Sequence, residues 1–318
     1  MARLRLYCTR ALPDPVMTAI RKQYELVQEP PDYSPSQKEL QQGFSEADAV
    51  ITTLAERVDH TVLACANRLK IIANYAVGYN NIDVAAAGQK GIIISNTPDV
   101  LTDATADLTW ALLLASARRV TEGDRWMRTG QWTGWAPTQM LGGDVAGKTL
   151  GIIGMGRIGQ AVALRAVGFR MPVLYTSRRS VTVPVGHSWH RHSLGEVLAH
   201  SDFLSLHVPL TETTRHLIGA HELQTMKPTA FLINTSRGPV IDEAALVSAL
   251  ETGLIAGAGL DVYEQEPAVP ASLATLPNVV LLPHLGSATL QTRIRMGMIC
   301  LENVAAVLSG NPAPNRVG

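Results

Sequence analysis

Short apolar runs alternate with stretches of helical period along the first hundred residues. The runs predict strands at Leu4–Cys8, Glu25–Val27, Ala49–Thr53, Lys70–Tyr75 and Gly91–Ser95. Helical patterns fill the gaps near Pro15–Gln23, Ser36–Gln42, Thr61–Asn67 and Ile82–Gln89. Because strands that alternate with helices form parallel βαβ units, we expect one α/β lobe here.

A second alternating series begins at Lys148. Between the two series, a helical pattern covers Thr102–Val120, and the stretch from Gly123 to Gly147 has no clear period. The second series predicts strands at Thr149–Ile153, Pro172–Thr176, Phe203–Leu206, Ala230–Asn234, Gly257–Asp261 and Val279–Leu282. It predicts helices at Arg157–Val167, Leu194–His200, Asp242–Glu251 and Ser287–Leu308. We expect the last helix to return the chain to the first lobe.

Length and composition agree with two lobes and exclude some classes of function. A chain of 318 residues exceeds the roughly 250–300 residues over which a single core grows. Equal numbers of basic and acidic residues, 27 of each, argue against the broad basic surface of a sequence-independent nucleic-acid binder. We expect neither a signal peptide nor a membrane span. The three cysteines have no metal-ligand spacing, which favours a reducing, cytoplasmic location.

The segment from Thr149 to Gln160 has the pattern of a dinucleotide-binding turn. An apolar strand runs into Gly154-Met-Gly156-Arg-Ile-Gly159, and a helix follows. In such a turn the first glycine permits the tight bend and the second lets the backbone approach a pyrophosphate. The third lets the helix pack closely against the strand.

The end of the next strand indicates which dinucleotide binds. An NAD site has Asp or Glu there to accept hydrogen bonds from the ribose hydroxyls. This chain has Thr176-Ser177-Arg178-Arg179-Ser180 and no acid. Hydroxyls and guanidinium groups would hold a 2′-phosphate, so NADP(H) is the predicted cofactor. The alternative is a solvated basic loop on an enzyme that uses NAD(H).

Three polar residues follow later strands of the second series. Arg237 comes after the strand at 230–234, Glu266 after the one at 257–261, and His284 after the one at 279–282. Together they suit carbonyl reduction, because Arg can hold a carboxylate while His, oriented by Glu, protonates an oxygen. Taken singly, each is more typical of a surface ion pair, a solvated turn or a structural histidine.

Six motifs, in order along the chain, resemble the D-isomer-specific 2-hydroxyacid dehydrogenase family, especially its glyoxylate/hydroxypyruvate reductase branch. They are Ala76–Asp83, Thr102–Asp107, Gly154–Gly159, His207–Leu210, Asn234–Gly238 and Pro283–Ala288. The resemblance implies an α/β fold of two Rossmann-like lobes. A flavodoxin-like catalytic lobe (1–98 with 288–318) would accompany a doubly wound dinucleotide-binding lobe (99–287).

The resemblance also implies roles for individual residues. Arg237 would bind the substrate, His284 would be the acid and base, and Glu266 its partner. Val77 and Gly78 would bind the substrate carboxylate, and Trp135 would reach the neighbouring subunit's site in a homodimer. An aromatic residue that is usual a few positions later is Gln139 or Met140 here. The cofactor residues would be Thr105, Gly154, Met155, Gly156, Arg157, Ile158, Gly159, Ser177, Arg178, Arg179, His207, Pro209, Thr235, Asp261 and Gly286.

The function predicted from these features is reduction of small 2-oxo acids, glyoxylate to glycolate and hydroxypyruvate to D-glycerate, with NADPH preferred over NADH. One alternative is an NAD-linked dehydrogenase of a larger 2-oxo acid, 2-ketogluconate or phosphite. Another is a non-catalytic NAD(P)-sensing corepressor. We expect no nucleic-acid partner and no metal. His187, His190 and His192 could suggest a metal site, but their spacing favours a surface loop.

Overall fold

The computed structural model describes residues 3–318 and divides into two compact units. The first unit runs up to Leu101 and includes Ser287–Gly318, and the second is Thr102–Gly286. Whether domain boundaries lie at 98/99 and 287/288 stays a prediction.

A six-stranded sheet forms the centre of the first unit. Its strands are β1 (Arg5–Cys8), β2 (Glu25–Leu26), β3 (Ala49–Thr52), β4 (Ile71–Asn74), β5 (Ile93–Ser95) and β13 (Arg316–Val317). Its helices are α1 (Asp14–Gln23), α2 (Gln37–Glu46), α3 (His60–Ala64), α4 (Val84–Gln89) and α12 (Leu290–Leu308). The spatial order is β13-β5-β4-β3-β1-β2, and all neighbours are parallel except β13 with β5. The order of β2-β1-β3-β4-β5 is flavodoxin-like.

Alternate residues of these strands enter two separate cores, because side chains along a strand point to opposite faces. Leu6 and Ile51 pack with residues of α1 and α12, whereas Tyr7 and Val50 pack with residues of α2 and α3. Strands covered on both faces are apolar at every position. This is why these strands appear in the sequence as continuous apolar runs.

A seven-stranded sheet forms the centre of the second unit. Its strands are β6 (Leu150–Ile153), β7 (Val173–Thr176), β8 (Trp189–Arg191), β9 (Phe203–Leu206), β10 (Phe231–Asn234), β11 (Gly257–Leu260) and β12 (Val279–Leu281). The α-helices are α5 (Thr102–Ala117), α6 (Val120–Arg128), α7 (Arg157–Arg165), α8 (Leu194–His200), α9 (Ala220–Thr225), α10 (Glu243–Glu251) and α11 (Ala271–Thr275). Two 3₁₀ turns occur at Ala166–Phe169 and Gly238–Val240.

The strand order is β12-β11-β10-β9-β6-β7-β8, and every pair is parallel. The chain reverses its direction of winding between β6 and β9. In doubly wound sheets, ligands bind at the carboxyl ends of the strands around this point. The α/β fold with two Rossmann-like sheets is therefore confirmed.

Two predictions of local structure were wrong. The helix expected over Thr102–Val120 ends at Ala117, because Arg119 has a left-handed backbone with φ of 54°. A second helix, α6, begins at Val120 and runs to Arg128, into the stretch from Gly123 that has no clear period. The region at 187–192, interpreted as a loop, contains β8. A three-residue edge strand with one buried side chain, Trp189, is too short to show a period.

Candidate active site

Arg237, Glu266 and His284 follow three strands that are neighbours in the second sheet. Arg237 comes after β10, Glu266 after β11 and His284 after β12. These strands pair in parallel, so their carboxyl ends lie along one edge of the sheet. The order of the strands thus brings Arg237 and His284 to the same edge of the sheet, although they are nearly fifty residues apart in sequence.

The turn that carries Arg237 is shaped by Asn234. The Asn234 side chain accepts hydrogen bonds from the main-chain N–H and the hydroxyl of Ser236, and donates to the carbonyl of Arg237 at 3.0 Å. The next residue, Gly238, lies against the segment after β11, where an added Cβ would be 1.8 Å from the carbonyl oxygen of Tyr263. Only glycine therefore permits this approach.

His284 and Glu266 are joined directly. Nδ1 of His284 lies 2.8 Å from Oε2 of Glu266, and the main-chain N–H of Tyr263 donates to Oε1 at 3.1 Å. The two side chains are 23% and 31% exposed. An ionised carboxylate can only accept hydrogen bonds, so the proton of this bond is on Nδ1. Nε2 of His284 is consequently the nitrogen left to face a reactant.

Asp261 holds the turn in which His284 lies. Its carbonyl accepts the main-chain N–H of His284 at 2.9 Å, and its two carboxylate oxygens accept those of Leu285 at 2.6 Å and Gly286 at 2.8 Å. His284 has φ of 55°, in the left-handed region that non-glycine residues rarely adopt. Three hydrogen bonds, all accepted by Asp261, hold that conformation. The predicted contact of Asp261 with the nicotinamide stays a prediction.

Burial and charge act in opposition on the ionisable groups of the site. Burial tends to raise the pKa of Glu266, but the hydrogen bond and charge of His284, the Tyr263 N–H and the charge of Arg237 outweigh it and lower that pKa. Burial lowers the pKa of Arg237, against the attraction of Glu266. Burial raises the pKa of Asp261 despite its two N–H donors. Glu266 is therefore the group of this site most firmly held as an anion.

Helix α5 contacts the same edge through threonine hydroxyls. The Thr105 hydroxyl donates to the carbonyl of Gly286 at 2.9 Å, and the Thr109 hydroxyl donates to the carbonyl of Thr105 at 2.8 Å. The hydroxyls of Thr109 and Thr235 are 2.9 Å apart. Thr105, Thr235 and Gly286, all predicted cofactor residues, thus belong to one buried network.

The glycine turn has the geometry that a bound pyrophosphate needs. Gly154 has φ of 98°, and an added Cβ would lie 2.7 Å from the carbonyl of His207. A Cβ on Gly159 would lie 2.2 Å from the carbonyl of Gly154, whereas one on Gly156 would meet nothing within 4 Å. Helix α7 begins at Arg157. The turn is tight, the helix is close and the approach at Gly156 is open, so a dinucleotide fits here.

His207 and Pro209 follow β9, next to the glycine turn. Nε2 of His207 lies 2.8 Å from the hydroxyl of Ser205, and burial lowers the pKa of His207 to about 3. The imidazole is therefore neutral at physiological pH. Met155 is buried, its carbonyl accepts from the side chain of Gln160, and Ile158 is half-buried at the start of α7.

Ser177, Arg178 and Arg179 follow β7, which neighbours the glycine strand. The Ser177 hydroxyl donates to the carbonyl of Arg179, and both arginines are exposed. Arg191 on β8 donates to the carbonyl of Ser177 at 2.9 Å. Sequence reasoning missed Arg191 because β8 was interpreted as a loop.

Val77 and Gly78 lie in the first unit, in the loop after β4. The side chain of Asn96 donates to the carbonyl of Val77 and that of Asn74 to the carbonyl of Gly78, both at 2.8 Å. With the Val77 carbonyl held on one side, the N–H of Gly78 points to the other, since the two are antiparallel in a trans peptide. That N–H is the group the resemblance assigns to a carboxylate.

Sequence reasoning also missed Glu56, which organises the loop after β3. One oxygen of this buried carboxylate accepts from the hydroxyls of Thr9 and Thr53 at 2.8 Å and from the main-chain N–H of Thr53 at 2.7 Å. Asn81 ties that loop to the Val77–Gly78 loop by donating to the carbonyls of Thr53 and Glu56. The contacts of Glu56 with Thr9 and of Asn81 with this loop have no sequence signal, because the partners are distant along the chain.

The remaining predicted residues are placed as follows. Trp135 is 81% exposed and belongs to no helix or strand. The ring nitrogens of His187, His190 and His192 contact different groups, a carbonyl, a serine hydroxyl and Glu196. Over residues 3–318 no group of three or more His, Cys, Asp or Glu side chains could hold a metal ion. In the same range, no helix is long and apolar enough to cross a membrane.

Comparison with known proteins agrees with this arrangement. Residues 110–286, more than half of the chain, match the family model for the NAD binding domain of D-isomer specific 2-hydroxyacid dehydrogenases. The glyoxylate reductase of Thermococcus gammatolerans is 47% identical over 318 residues, which cover 98% of this chain and 95% of the relative.

Two solved structures extend the likeness to the whole fold. The TT0316 protein of Thermus thermophilus has a TM-score of 0.94 at 44% identity, covering 99% of this chain and 100% of that one. The NADPH-dependent glyoxylate/hydroxypyruvate reductase of Sinorhizobium meliloti, in complex with NADP and malonate, has a TM-score of 0.88 at 34% identity, covering 100% and 97%. With its glycine turn and the strand-end residues described above, the chain belongs to the D-isomer specific 2-hydroxyacid dehydrogenase family and is an NAD(P)-dependent oxidoreductase.

Proposed function

We propose that this chain reduces glyoxylate to glycolate and hydroxypyruvate to D-glycerate, with NADPH preferred over NADH. The observation that carries the proposal is the 2.8 Å hydrogen bond between His284 and Glu266, on the sheet edge that also bears Arg237. Relatives named glyoxylate reductase, and one named NADPH-dependent glyoxylate/hydroxypyruvate reductase, support the choice of substrate and cofactor.

Arg237 is the group proposed to bind the substrate carboxylate. Its guanidinium stays charged at any physiological pH, and half-burial leaves it poorly hydrated, so it gains from an anionic partner. Val77 and Gly78 are proposed to bind a carboxylate of the substrate through main-chain N–H groups. These contacts favour 2-oxo acids over neutral carbonyl compounds.

His284 is the proposed acid. The hydrogen bond from Nδ1 to Glu266 fixes the orientation of the ring and leaves the proton on Nε2 for the substrate. Bound NADPH would supply the hydride that the carbonyl carbon accepts. As the C–H bond forms, the π electron pair of the carbonyl moves onto oxygen, which takes the proton from Nε2. The product is the 2-hydroxy acid, and His284 ends neutral, with Glu266 unchanged.

The proposed cofactor residues fall into three groups. Gly154 to Gly159 and the start of α7 would bind the pyrophosphate. Ser177, Arg178 and Arg179 would bind the 2′-phosphate, with His207 and Pro209 on the adenosine side. Thr105, Thr235, Asp261 and Gly286 would surround the nicotinamide ribose and amide. The geometry of the glycine turn supports the first group and the absence of an acid after β7 supports the second.

We also propose a homodimer, in which Trp135 contacts the neighbouring subunit. The support is a set of exposed large apolar side chains between 120 and 141 in the second unit. They are Val120, Met127, Trp132, Trp135 and Leu141, each at least 45% exposed. Exposed aromatic residues and methionine are enriched in protein–protein contact sites.

The test is to measure initial rates of NADPH and NADH oxidation side by side, with glyoxylate, hydroxypyruvate, a larger 2-oxo acid and 2-ketogluconate. Oxidation of phosphite with NAD as the hydride acceptor is measured as well. We expect the highest kcat/KM with NADPH and the two small acids. Turnover with NADH alone would contradict the cofactor preference, and turnover with the larger acids alone would contradict the substrate. Cofactor binding without turnover would favour a sensing protein.

A further inference from the structure

We propose that Arg191 is a positioning residue that shapes the loop Ser177–Ser180 into a binding site for the 2′-phosphate of NADP. The inference rests on the proposed preference for NADPH and adds to it a residue on another strand. It would make cofactor choice depend on the edge strand β8 as well as on the loop after β7.

Strand β8 places Arg191 beside the loop. β8 pairs in parallel with β7, and the register sets Arg191 opposite Tyr175, two residues before Ser177. The strand is anchored by Trp189, which is 6% exposed. Arg191 is thus presented by a paired, anchored strand, which limits where its guanidinium can go.

The guanidinium of Arg191 donates to the loop with two of its nitrogens. One nitrogen is 2.9 Å from the carbonyl oxygen of Ser177 and 3.5 Å from that of Arg178, and the other is 3.2 Å from the hydroxyl of Ser180. The planar fork of an arginine can hold two such positions together, whereas a lysine ammonium presents only one nitrogen. Arg191 therefore joins the beginning and the end of the loop.

These contacts also orient the main chain of the loop. In a trans peptide the carbonyl of one residue and the N–H of the next point in opposite directions. With the Ser177 and Arg178 carbonyls turned toward Arg191, the N–H groups of Arg178 and Arg179 face away from it. Neither N–H donates a hydrogen bond within residues 3–318. Successive main-chain N–H groups that are presented in this way bind anions.

Charge favours a phosphate at this position. No Asp or Glu occurs between Ser177 and His192, while Arg178, Arg179 and Arg191 all lie in that range. The glycine turn is adjacent, since the N–H of Gly154 donates to the carbonyl of Thr176 at 2.9 Å. A 2′-phosphate would gain from this field and from the N–H groups, but the 2′-hydroxyl of NAD would gain little. Removing Arg191 should therefore affect NADPH far more than NADH.

The experiment compares four full-length variants with the wild type by fluorescence titration of NADPH and NADH, and by kcat/KM with glyoxylate. The variants are Arg191→Ala, Arg191→Lys, the double Arg178→Ala/Arg179→Ala, and Arg295→Ala. Arg295 is an exposed arginine on α12 of the other unit, so it controls for loss of one positive charge. Titration does not need turnover, which separates cofactor recognition from any failure of catalysis. Circular dichroism checks that each variant is folded.

We expect Arg191→Ala to raise the Kd of NADPH about tenfold, with the Kd of NADH and kcat nearly unchanged. Arg191→Lys should resemble Arg191→Ala, because it keeps the charge but loses the fork. If the double variant loses NADPH preference and Arg191→Ala keeps it, the role of Arg191 is wrong and the proposed function stands. A wild-type Kd of NADPH in Arg191→Lys would also contradict the positioning role of Arg191. A wild type that binds both cofactors equally would contradict the NADPH preference itself, and with it this inference.

Discussion

Glu266 Oε2 lies 2.8 Å from His284 Nδ1, although eighteen residues separate the two along the chain. They follow β11 and β12, which pair in parallel, so the sheet brings their segments to one edge. The other oxygen of Glu266 accepts the main-chain N–H of Tyr263. Glu266 therefore orients the imidazole while being held in place itself.

Glu266→Gln should lower kcat for glyoxylate reduction about 10- to 100-fold at neutral pH, within the range that a positioned general acid contributes. The side-chain NH₂ of glutamine can replace the carboxylate oxygen that now accepts from Nδ1, so the proton and the ring orientation are no longer fixed there. NADPH affinity should be unchanged. The measurement is kcat for glyoxylate reduction at neutral pH. Glu264→Gln is the control, because Glu264 pairs with another histidine, His216, at 2.7 Å. A kcat equal to that of the wild type would contradict the role of Glu266.

Asp261→Asn should reduce kcat by about tenfold or more, because it would displace the turn that holds His284. An amide has one acceptor oxygen, and its NH₂ group would oppose the N–H of either Leu285 or Gly286, which the carboxylate now accepts. The matched control is Asp242→Asn. Asp242 caps α10 by accepting from Ala245, and Asn caps a helix equally well. Steady-state kinetics of both variants are the check, and equal kcat values would rule out this positioning effect.

Gly156→Ala should lower the affinity for NADPH, whereas Gly159→Ala should lower the stability of the fold. A methyl group on Gly156 meets no protein atom, so the melting temperature should hold while NADPH affinity falls, because the methyl occupies the approach of the pyrophosphate. A methyl on Gly159 would lie 2.2 Å from the carbonyl of Gly154, so this variant should be destabilised. Thermal unfolding and NADPH titration of each variant distinguish the effects. Full NADPH affinity in Gly156→Ala would argue against pyrophosphate binding there.

Asp202→Asn should lower stability more at neutral pH than in acid. Burial tends to raise the pKa of Asp202, but hydrogen bonds from Lys227 and the N–H of Thr149, both at 2.8 Å, outweigh it and lower that pKa. A carboxyl whose pKa is lowered by folding stabilises the protein above its unfolded pKa, about 3.9, and loses this contribution as the pH falls through the lower folded value.

The expected loss in Asp202→Asn at pH 7 is about 1–2 kcal/mol, or a few degrees in melting temperature, and it should shrink below about pH 4. Melting curves at pH 7 and pH 3.5 test this. The control is Asp124→Asn, which removes an exposed carboxylate paired with Arg128 on α6. It should leave the melting temperatures at pH 7 and pH 3.5 unchanged. A loss in Asp202→Asn that is equal at both pH values would show that the charge is not responsible.

Trp135→Ala should weaken the proposed dimer and raise the KM for glyoxylate severalfold, while leaving the melting temperature of dilute protein nearly unchanged. The reason is that 81% of this residue is exposed, so it adds little to the core of its own unit. Sedimentation velocity and steady-state kinetics measure the two effects. Tyr33→Ala, an exposed aromatic of the first unit, is the control. Wild-type KM and sedimentation would contradict the placement of Trp135 at a neighbouring subunit.

Elements with a strong local signal were predictable. Phe203–Leu206 and Leu194–His200 were predicted with their observed bounds, because a buried parallel strand is apolar throughout and a capped helix shows its period. β8 was missed because a three-residue edge strand has too few positions for a pattern. The break at Arg119 was missed because a left-handed residue inside a helical pattern leaves no local mark.

The sequence by itself determined the family, the parallel α/β architecture, the glycine turn and the residue types at the strand ends, since each depends on a short stretch of chain. Only the tertiary structure decided which atoms meet. Asp261 with the His284 turn, Glu56 with Thr9, and Arg191 with Ser177 are contacts between segments that are distant in sequence. Such contacts depend on strand order and register, which the pattern of residues within any one segment does not encode.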